Sequence, residues 1–260
     1  MLKTLSFISQ KLNKEMNINV FLPDEYNEKD RYPVLYILHG YSNNHQGFMP
    51  NLGFDTLAQE LISQKKIHPL LIVAPHIDNS FGVNSSVQPE VKGNDPKQAA
   101  YKGMYSDYLL KEVIPFIDSS FRTIPQKTGR FIGGASMGGF AALNAAFNHP
   151  HLFSKVGGHM PAVLLESSNK EFTSWVYPDD KTRKQRDPIV LANSNNLSGL
   201  DIYLDCGDND SFRFFEGSEL LYKTLKSHGY QVNYHFNRGS HDDEYLHRNL
   251  KEYLLFYAGT

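Results

Sequence analysis

With 260 residues, 40% of them hydrophobic and 21% charged, the chain suits one large α/β domain, or at most two small ones, with a sizeable core. Lys and Arg number 26 against 28 Asp and Glu, a net charge of −2, without the basic excess of a nucleic-acid binder. No stretch approaches the roughly 20 apolar residues that span a bilayer, and a single cysteine, Cys206, excludes an intrachain disulfide.

The N-terminus, Met-Leu-Lys-Thr-Leu-Ser-Phe-Ile-Ser-Gln, lacks a continuous apolar core and a small-residue cleavage site. No signal peptide is expected, and a cytoplasmic location follows as an expectation that the lone cysteine fits. Residues 3–9 and 16–22 read as two opening strands, an antiparallel pair. Val34 to Leu38 is a continuous apolar run, as in a strand covered on both faces, and it stops at His39-Gly40. Residues 54–64 carry Phe54, Leu57, Ala58, Leu61 and Ile62 at helical spacing. Pro69 to Pro75 is the next buried strand. Residues 76–102 have no period and form a long connection, the kind that often serves function. A helix follows over 103–119, with a kink or break expected at Pro115.

Residues 129–134 predict a short strand, and Phe140 to Phe147 an Ala-rich helix. Residues 155–158 are a weaker strand. Residues 161–198 read as a polar, irregular, cap-like insertion with one helix near 188–195. Residues 201–205 are a strand, 212–228 an amphipathic helix, 231–236 the last strand and 242–257 the last helix. Strand and helix runs alternate without repeats or a linker, so a mostly parallel sheet of about eight strands flanked by helices is expected, in one domain.

Gly134-Ala135-Ser136-Met137-Gly138 is a G-x-S-x-G. The pattern alone is weak, and could be a turn with Ser136 capping a helix. Here a strand precedes it and a helix follows, the context of a nucleophile elbow, where a sharp turn lifts the serine hydroxyl above the sheet. A serine hydroxyl needs a base to take its proton. In this arrangement the chain order is Ser, acid, His. His241 follows Arg238-Gly239-Ser240 between the last strand and last helix, where the base is expected. His228, His235 and His247 fall in predicted helices or strands, and His149 and His151 flank Pro150. Asp205, Asp208 and Asp210 compete as the acid. Asp205 is still in the strand, which leaves Asp208 and Asp210 in the loop. Asp242 and Asp243 are too near His241 for that order. Oxyanion donors are expected from the backbone N–H of Met137 and, in the loop Leu38-His39-Gly40-Tyr41, of Tyr41. His39 precedes the serine and reads as shaping that loop. Cys206 reads as a small buried apolar residue. Pocket walls are expected from 41–49, 79–88 and 161–178, with Phe48, Phe81, Met160 and Trp175 as candidates for substrate contact.

These residues together resemble the esterase-D-like branch of the α/β hydrolases, which includes feruloyl, acetyl-xylan and tributyrin-type esterases, S-formylglutathione hydrolases and antigen-85 mycolyltransferases. The resemblance runs over nearly the whole chain, through Asn19-Val20-Phe21-Leu22-Pro23, Leu38-His39-Gly40, Ile114-Pro115-Phe116-Ile117, Gly134-Ala135-Ser136-Met137-Gly138-Gly139, His149-Pro150-His151-Leu152-Phe153, Asp205-Cys206-Gly207-Asp208-Asn209-Asp210 and Gly239-Ser240-His241. It implies the α/β-hydrolase fold and hydrolysis of a small carboxylic ester through an acyl-serine intermediate, without a cofactor. In the family's D-x-G-x-x-D pattern the last Asp is the acid, which maps to Asp210. S-formylglutathione hydrolases carry Ser-Gly-x-x-Cys where this chain has His39-Gly40-Tyr41-Ser42-Asn43, a departure that argues against a thioester substrate. Secreted plant-wall esterases usually carry a signal peptide or a carbohydrate-binding module, and neither is seen. Rival readings are an acyltransferase on the same scaffold, a peptidase or siderophore esterase, and a non-catalytic binding protein. The expected partner is the small-molecule ester, with neither nucleic acid nor a membrane span, and a homo-oligomer remains open.

Overall fold

Two strands open the chain, β1 (Leu2–Ser9) and β2 (Lys14–Phe21), paired antiparallel with Leu2 opposite Phe21. The computed structural model describes residues 1–89, 99–168 and 170–260. Part of the 76–102 connection and Asn169 of the 161–198 insertion therefore lie outside the described residues. β3 (Val34–Leu38) and β4 (Leu71–Pro75) are buried at every position, as their unbroken apolar runs require, and α1 (Phe54–Ser63) joins them. β5 (Asn84–Ser85) and β6 (Gly103–Met104) make a separate two-residue ribbon.

Where a kink or break was expected at Pro115, the helix changes type without breaking. The backbone runs from α2 (Tyr105–Tyr108) through a π-type turn at Leu109–Val113 into α3 (Ile114–Ser120). A proline ring inside a helix strikes the carbonyl four residues back and has no N–H to donate. The wider turn lies over that carbonyl, at Lys111, and makes room for the ring.

β7 (Arg130–Ala135) leads directly to α4 (Met137–Asn148), which starts three residues earlier than Ala content alone suggests. β8 (Lys155–His159) follows. Among the described residues, positions 161–198 then form three short helices, α5 (Lys170–Val176), α6 (Asp180–Arg186) and α7 (Pro188–Ser194), where an irregular stretch with one helix was expected. The Asp179 and Asp187 carboxylates cap α6 and α7 by accepting from Thr182 and Ile189 N–H. β9 (Asp201–Gly207), α8 (Phe214–Ser227), β10 (Val232–Asn237) and α9 (Asp243–Ala258) complete the chain.

Among the described residues, eight strands form one sheet in the order β1-β2-β4-β3-β7-β8-β9-β10. β2 meets β4 antiparallel, and every neighbour from β4 to β10 is parallel. Alternation along the strands divides the core into two layers. Val34, Tyr36 and Leu38 join the cluster under α4, α7 and α8, whereas Leu35 and Ile37 join the one under α1 and α9. Between β7 and β8 the second layer has an unusual key. A Cβ on Gly133 or on Gly157 would run into Tyr257 Oη, which α9 inserts there. That hydroxyl lies 3.1 Å from His159 Nε2. The carboxyl ends of β3, β7, β8 and β9 and the loop after β10 converge at one edge, where parallel sheets place their ligand sites. Among the described residues, no helix is long and apolar enough to cross a membrane.

Candidate active site

Ser136 occupies the single residue between β7 and α4, with φ 53° and ψ −115°. A non-glycine residue in that region is strained by about 1–3 kcal/mol and must be held by its surroundings. Its N–H donates to His159 O at 3.0 Å, and its carbonyl accepts from Phe140 N–H at 3.0 Å and Ala162 N–H at 2.9 Å. The end of β8 and the turn after it thus clamp the serine backbone from one side. On the other side Gly138 lies against the end of β3, where a Cβ would overlap the Leu38 and His39 carbonyls. A glycine is required there by backbone contact, which is why the motif tolerates no side chain after Met137.

The hydroxyl so presented meets His241. Ser136 Oγ lies 2.8 Å from His241 Nε2, and His241 Nδ1 lies 2.9 Å from Asp210 Oδ2. Asp210 is 3% exposed, and its other oxygen, Oδ1, accepts from Phe212 N–H at 2.8 Å. The Cys206 thiol, buried as expected, also donates to Asp210 Oδ2 at 3.4 Å. Burial pushes that thiol well above its ordinary range, with the Asp210 charge adding to the effect, so it stays a neutral donor. Asp208 faces elsewhere. It is exposed, and its Oδ1 accepts from Gly239 N–H at 3.0 Å, while Asn209 N–H donates to Gly239 O at 2.9 Å. The two loop carboxylates divide the work: Asp210 touches the imidazole, and Asp208 secures the loop that carries it.

The loop after β3 runs beside the serine. A Cβ on Gly40 would sit 3.7 Å from Ser136 Cβ. His39 is buried beneath this loop, where Ile77 N–H donates to its Nε2 at 3.0 Å and its Nδ1 lies 2.8 Å from Gly40 O. Because Nε2 must accept, Nδ1 carries the proton and donates to Gly40 O. Burial, reinforced by the neighbouring His76, lowers the His39 pKa to about 3 and keeps the ring neutral. A planar trans peptide points the two groups of the 40–41 unit in opposite directions. Fixing Gly40 C=O on the imidazole therefore turns Tyr41 N–H away from it. Met137, as the first residue of α4, has an N–H without a partner inside the helix. His39 shapes the loop and is no part of the Ser136–His241–Asp210 chain.

A cavity of about 310 Å³ opens over Ser136 and His241. Of the four candidate contact residues, Phe48 and Met160 line it. Phe81 and Trp175 do not. Phe81 is 3% exposed and its ring packs on Phe140, Phe172 and Trp175, all within 5.7 Å between centroids. Phe81 is core, packed behind the cavity residue Tyr41, whereas Trp175 lines a separate cleft with Val87, Gln88 and Pro89. Leu52, Leu246 and Phe212 also line it, none of them singled out by the sequence, and the carboxylates Asp242 and Asp243 stand at the same wall. Among the described residues lining it there is neither Lys nor Arg. No cluster of metal-ligating side chains occurs among the described residues.

A mostly parallel sheet in this strand order, with a serine raised between its central strand and the following helix, is the α/β-hydrolase fold, and the site gives it the makings of a serine hydrolase. The family described as "Putative esterase" matches residues 9–257, and the chain belongs to it. It is a carboxylic ester hydrolase. S-formylglutathione hydrolase of Mus musculus is 30% identical over 224 residues, 81% of this chain and 75% of the relative. The endo-1,4-β-xylanase/feruloyl esterase of Xylanibacter ruminicola is 28% identical over 60% of this chain and 21% of its own, much longer chain. Among solved structures, a ferulic acid esterase superposes with a TM-score of 0.80 at 22% identity, covering 98% of this chain and 97% of that one. An S-formylglutathione hydrolase from Agrobacterium tumefaciens gives 0.74 at 20% identity, covering 98% and 93%. At these identities the structural likeness bears on the fold alone.

Proposed function

We propose that the protein hydrolyses small carboxylic esters, with short acyl or aryl groups, through an acyl-serine intermediate on Ser136. The observation that carries this reading is the unbroken hydrogen-bonded chain from Asp210 through His241 to Ser136. His241 Nε2 takes the hydroxyl proton as Oγ attacks the ester carbonyl, and Asp210 holds the Nδ1–H tautomer and stabilises the imidazolium. The N–H groups of Met137 and Tyr41 take the oxyanion. His241 then protonates the departing alcohol, and water, activated by the same imidazole, releases the acid. Each oxyanion donor contributes roughly 2.7–4 kcal/mol to lowering the barrier. No step needs a cofactor. The chain functions as one domain over 1–260, with 161–198 as a small cap-like insertion; Phe172 of that insertion stands edge-on to Tyr41 at 5.2 Å, which supports a role over the oxyanion loop.

Hydrolysis of short nitrophenyl esters by the purified protein tests the reading. Ser136→Ala is expected to remove nearly all turnover, on the order of a million-fold when a triad serine is lost. Wild-type turnover in that variant would end the proposal.

A second reading, hydrolysis of S-formylglutathione, is favoured by the likeness to the mouse relative. Against it stand Asn43, in the loop after β3, where the Ser-Gly-x-x-Cys pattern of S-formylglutathione hydrolases has its cysteine, and the carboxylates Asp242 and Asp243 at the cavity wall, which repel the two glutathione carboxylates. Comparing kcat/KM for S-formylglutathione with that for an uncharged formyl or acetyl ester decides between the two.

A further inference from the structure

Phe212 is exposed at the mouth of the cavity, with 61% of its surface open. One exposed apolar side chain is ordinary on a protein surface, but this one lines the cavity that holds Ser136 and His241, where an entering ligand meets it. Three contacts fix its place. Its ring lies edge-on to the His241 imidazole, 5.1 Å between centroids at 76°. Its other neighbour is Phe214, stacked at 5.4 Å and 13°, and Phe214 is itself edge-on to His241 at 5.3 Å. Its backbone N–H donates to Asp210 Oδ1 at 2.8 Å, so the carboxylate that orients the imidazole also sets where the ring stands.

The direction of proton transfer then says which part of a substrate meets this ring. In ester cleavage the imidazole that takes the serine proton delivers it to the leaving oxygen, so the alcohol portion sits against His241 Nε2. The oxyanion points toward the Tyr41 and Met137 side, and the inner lining of Phe48 and Met160 is left for the acyl group. We infer that Phe212, backed by Phe214, is a specificity-determining residue that receives the alcohol portion of the substrate and selects esters of aryl or other bulky apolar alcohols. This deepens the ester-hydrolase reading and rests on it.

Three substrates separate the possibilities: ethyl acetate, benzyl acetate, which enlarges only the alcohol, and ethyl phenylacetate, which enlarges only the acyl group. In the wild type, kcat/KM for benzyl acetate exceeds that for ethyl acetate. In Phe212→Ala the benzyl-to-ethyl ratio falls about five- to tenfold, the scale of one aromatic contact, while the phenylacetate-to-acetate ratio moves less than twofold. Phe212→Trp keeps the benzyl preference. Both substitutions leave the N–H to Asp210 in place, and an unchanged melting temperature shows that the fold is intact. A benzyl-to-ethyl ratio unchanged in Phe212→Ala, with hydrolysis still dependent on Ser136, overturns the assignment of Phe212 alone. An equal or larger fall in the phenylacetate ratio overturns it too, by placing the ring on the acyl side. If the wild type hydrolyses none of the three, or does so without Ser136, both this inference and the ester-hydrolase reading fail.

Discussion

Replacing Asp210 by asparagine changes only the chemistry of one side chain, and its effect can be worked out from two distances. The new carboxamide can keep its oxygen on Phe212 N–H, 2.8 Å from the present Oδ1, and present its NH2 to His241 Nδ1, 2.9 Å from the present Oδ2. The imidazole must then accept at Nδ1 and carry its proton on Nε2, facing Ser136 Oγ, where it cannot act as a base. The opposite rotamer restores the tautomer but sets NH2 against Phe212 N–H, a donor–donor clash that costs about 1–3 kcal/mol. Neither orientation supplies the negative charge that stabilises the imidazolium. A fall in kcat on the order of 10⁴ is expected, the scale of such a substitution in a serine-protease triad and equal to about 5 kcal/mol of barrier. Asp208→Asn is the internal control. Its oxygen can still accept from Gly239 N–H, and the residue is exposed, so kcat should stay within about threefold. Steady-state hydrolysis of nitrophenyl acetate by both variants, beside their thermal melts, gives the answer. A collapse in Asp208→Asn with Asp210→Asn near wild type would refute the assignment of the acid.

Gly138→Ala forces a Cβ into the backbone of Leu38 and His39, which cannot swing aside as a side chain could. A loss of about 1–3 kcal/mol in stability is expected, with slower labelling of Ser136 by a fluorophosphonate; an unaltered melt and labelling rate would contradict the packing argument. Asp205→Asn tests a buried carboxylate outside the catalytic chain. Asp205 accepts from Tyr253 Oη at 2.8 Å and Met160 N–H at 2.9 Å, yet burial outweighs both bonds and raises its pKa to about 7. In the unfolded chain it ionises near 3.8, so its contribution to stability is present below about pH 4 and is lost as the pH rises to about 7. Buried His39 and His159, both lowered to about 3, act in the opposite sense: their contribution is whole above about pH 6.5 and is lost as the pH falls toward 3. Removing the Asp205 titration leaves the histidines unopposed. The stability of Asp205→Asn minus that of the wild type should therefore rise between pH 4 and pH 7, by up to about 4 kcal/mol. Melting curves across that range showing a constant or falling difference would disprove it.

The sheet was readable wherever one physical cause dominates. β3 and β4 are covered on both faces and announce themselves as unbroken apolar runs. The turn at Ser136 is readable because backbone crowding excludes side chains at Gly138. Choosing between Asp208 and Asp210 was beyond the residues themselves, because both are loop aspartates two positions apart; their difference is burial, which the fold alone creates. α5 and α6 escaped notice because they are seven residues each, and α6 buries none of its side chains, so no period of 3.6 could appear. Phe81 and Trp175 were expected at the site because aromatic residues frequent binding pockets, but the same rings also fill cores, and here Phe140 and Phe172 pack on Phe81, and Phe81 on Trp175. Phe212 carried no signal, since its place depends on a turn that ends with Arg213 at φ 58° and on a histidine from a different loop, beyond the next helix and strand.

The tyrosine hydroxyl lodged between Gly133 and Gly157 ties the fate of distant positions together. A side chain acquired at either glycine would expel the last helix, and shrinking Tyr257 would leave a void between the two strands. That same helix begins two residues after His241, and the strand holding Gly133 ends one residue before Ser136. Evolution can therefore alter positions 133, 157 and 257 only in concert, and drift at any one of them would reach the reacting pair by moving the supports on which both stand.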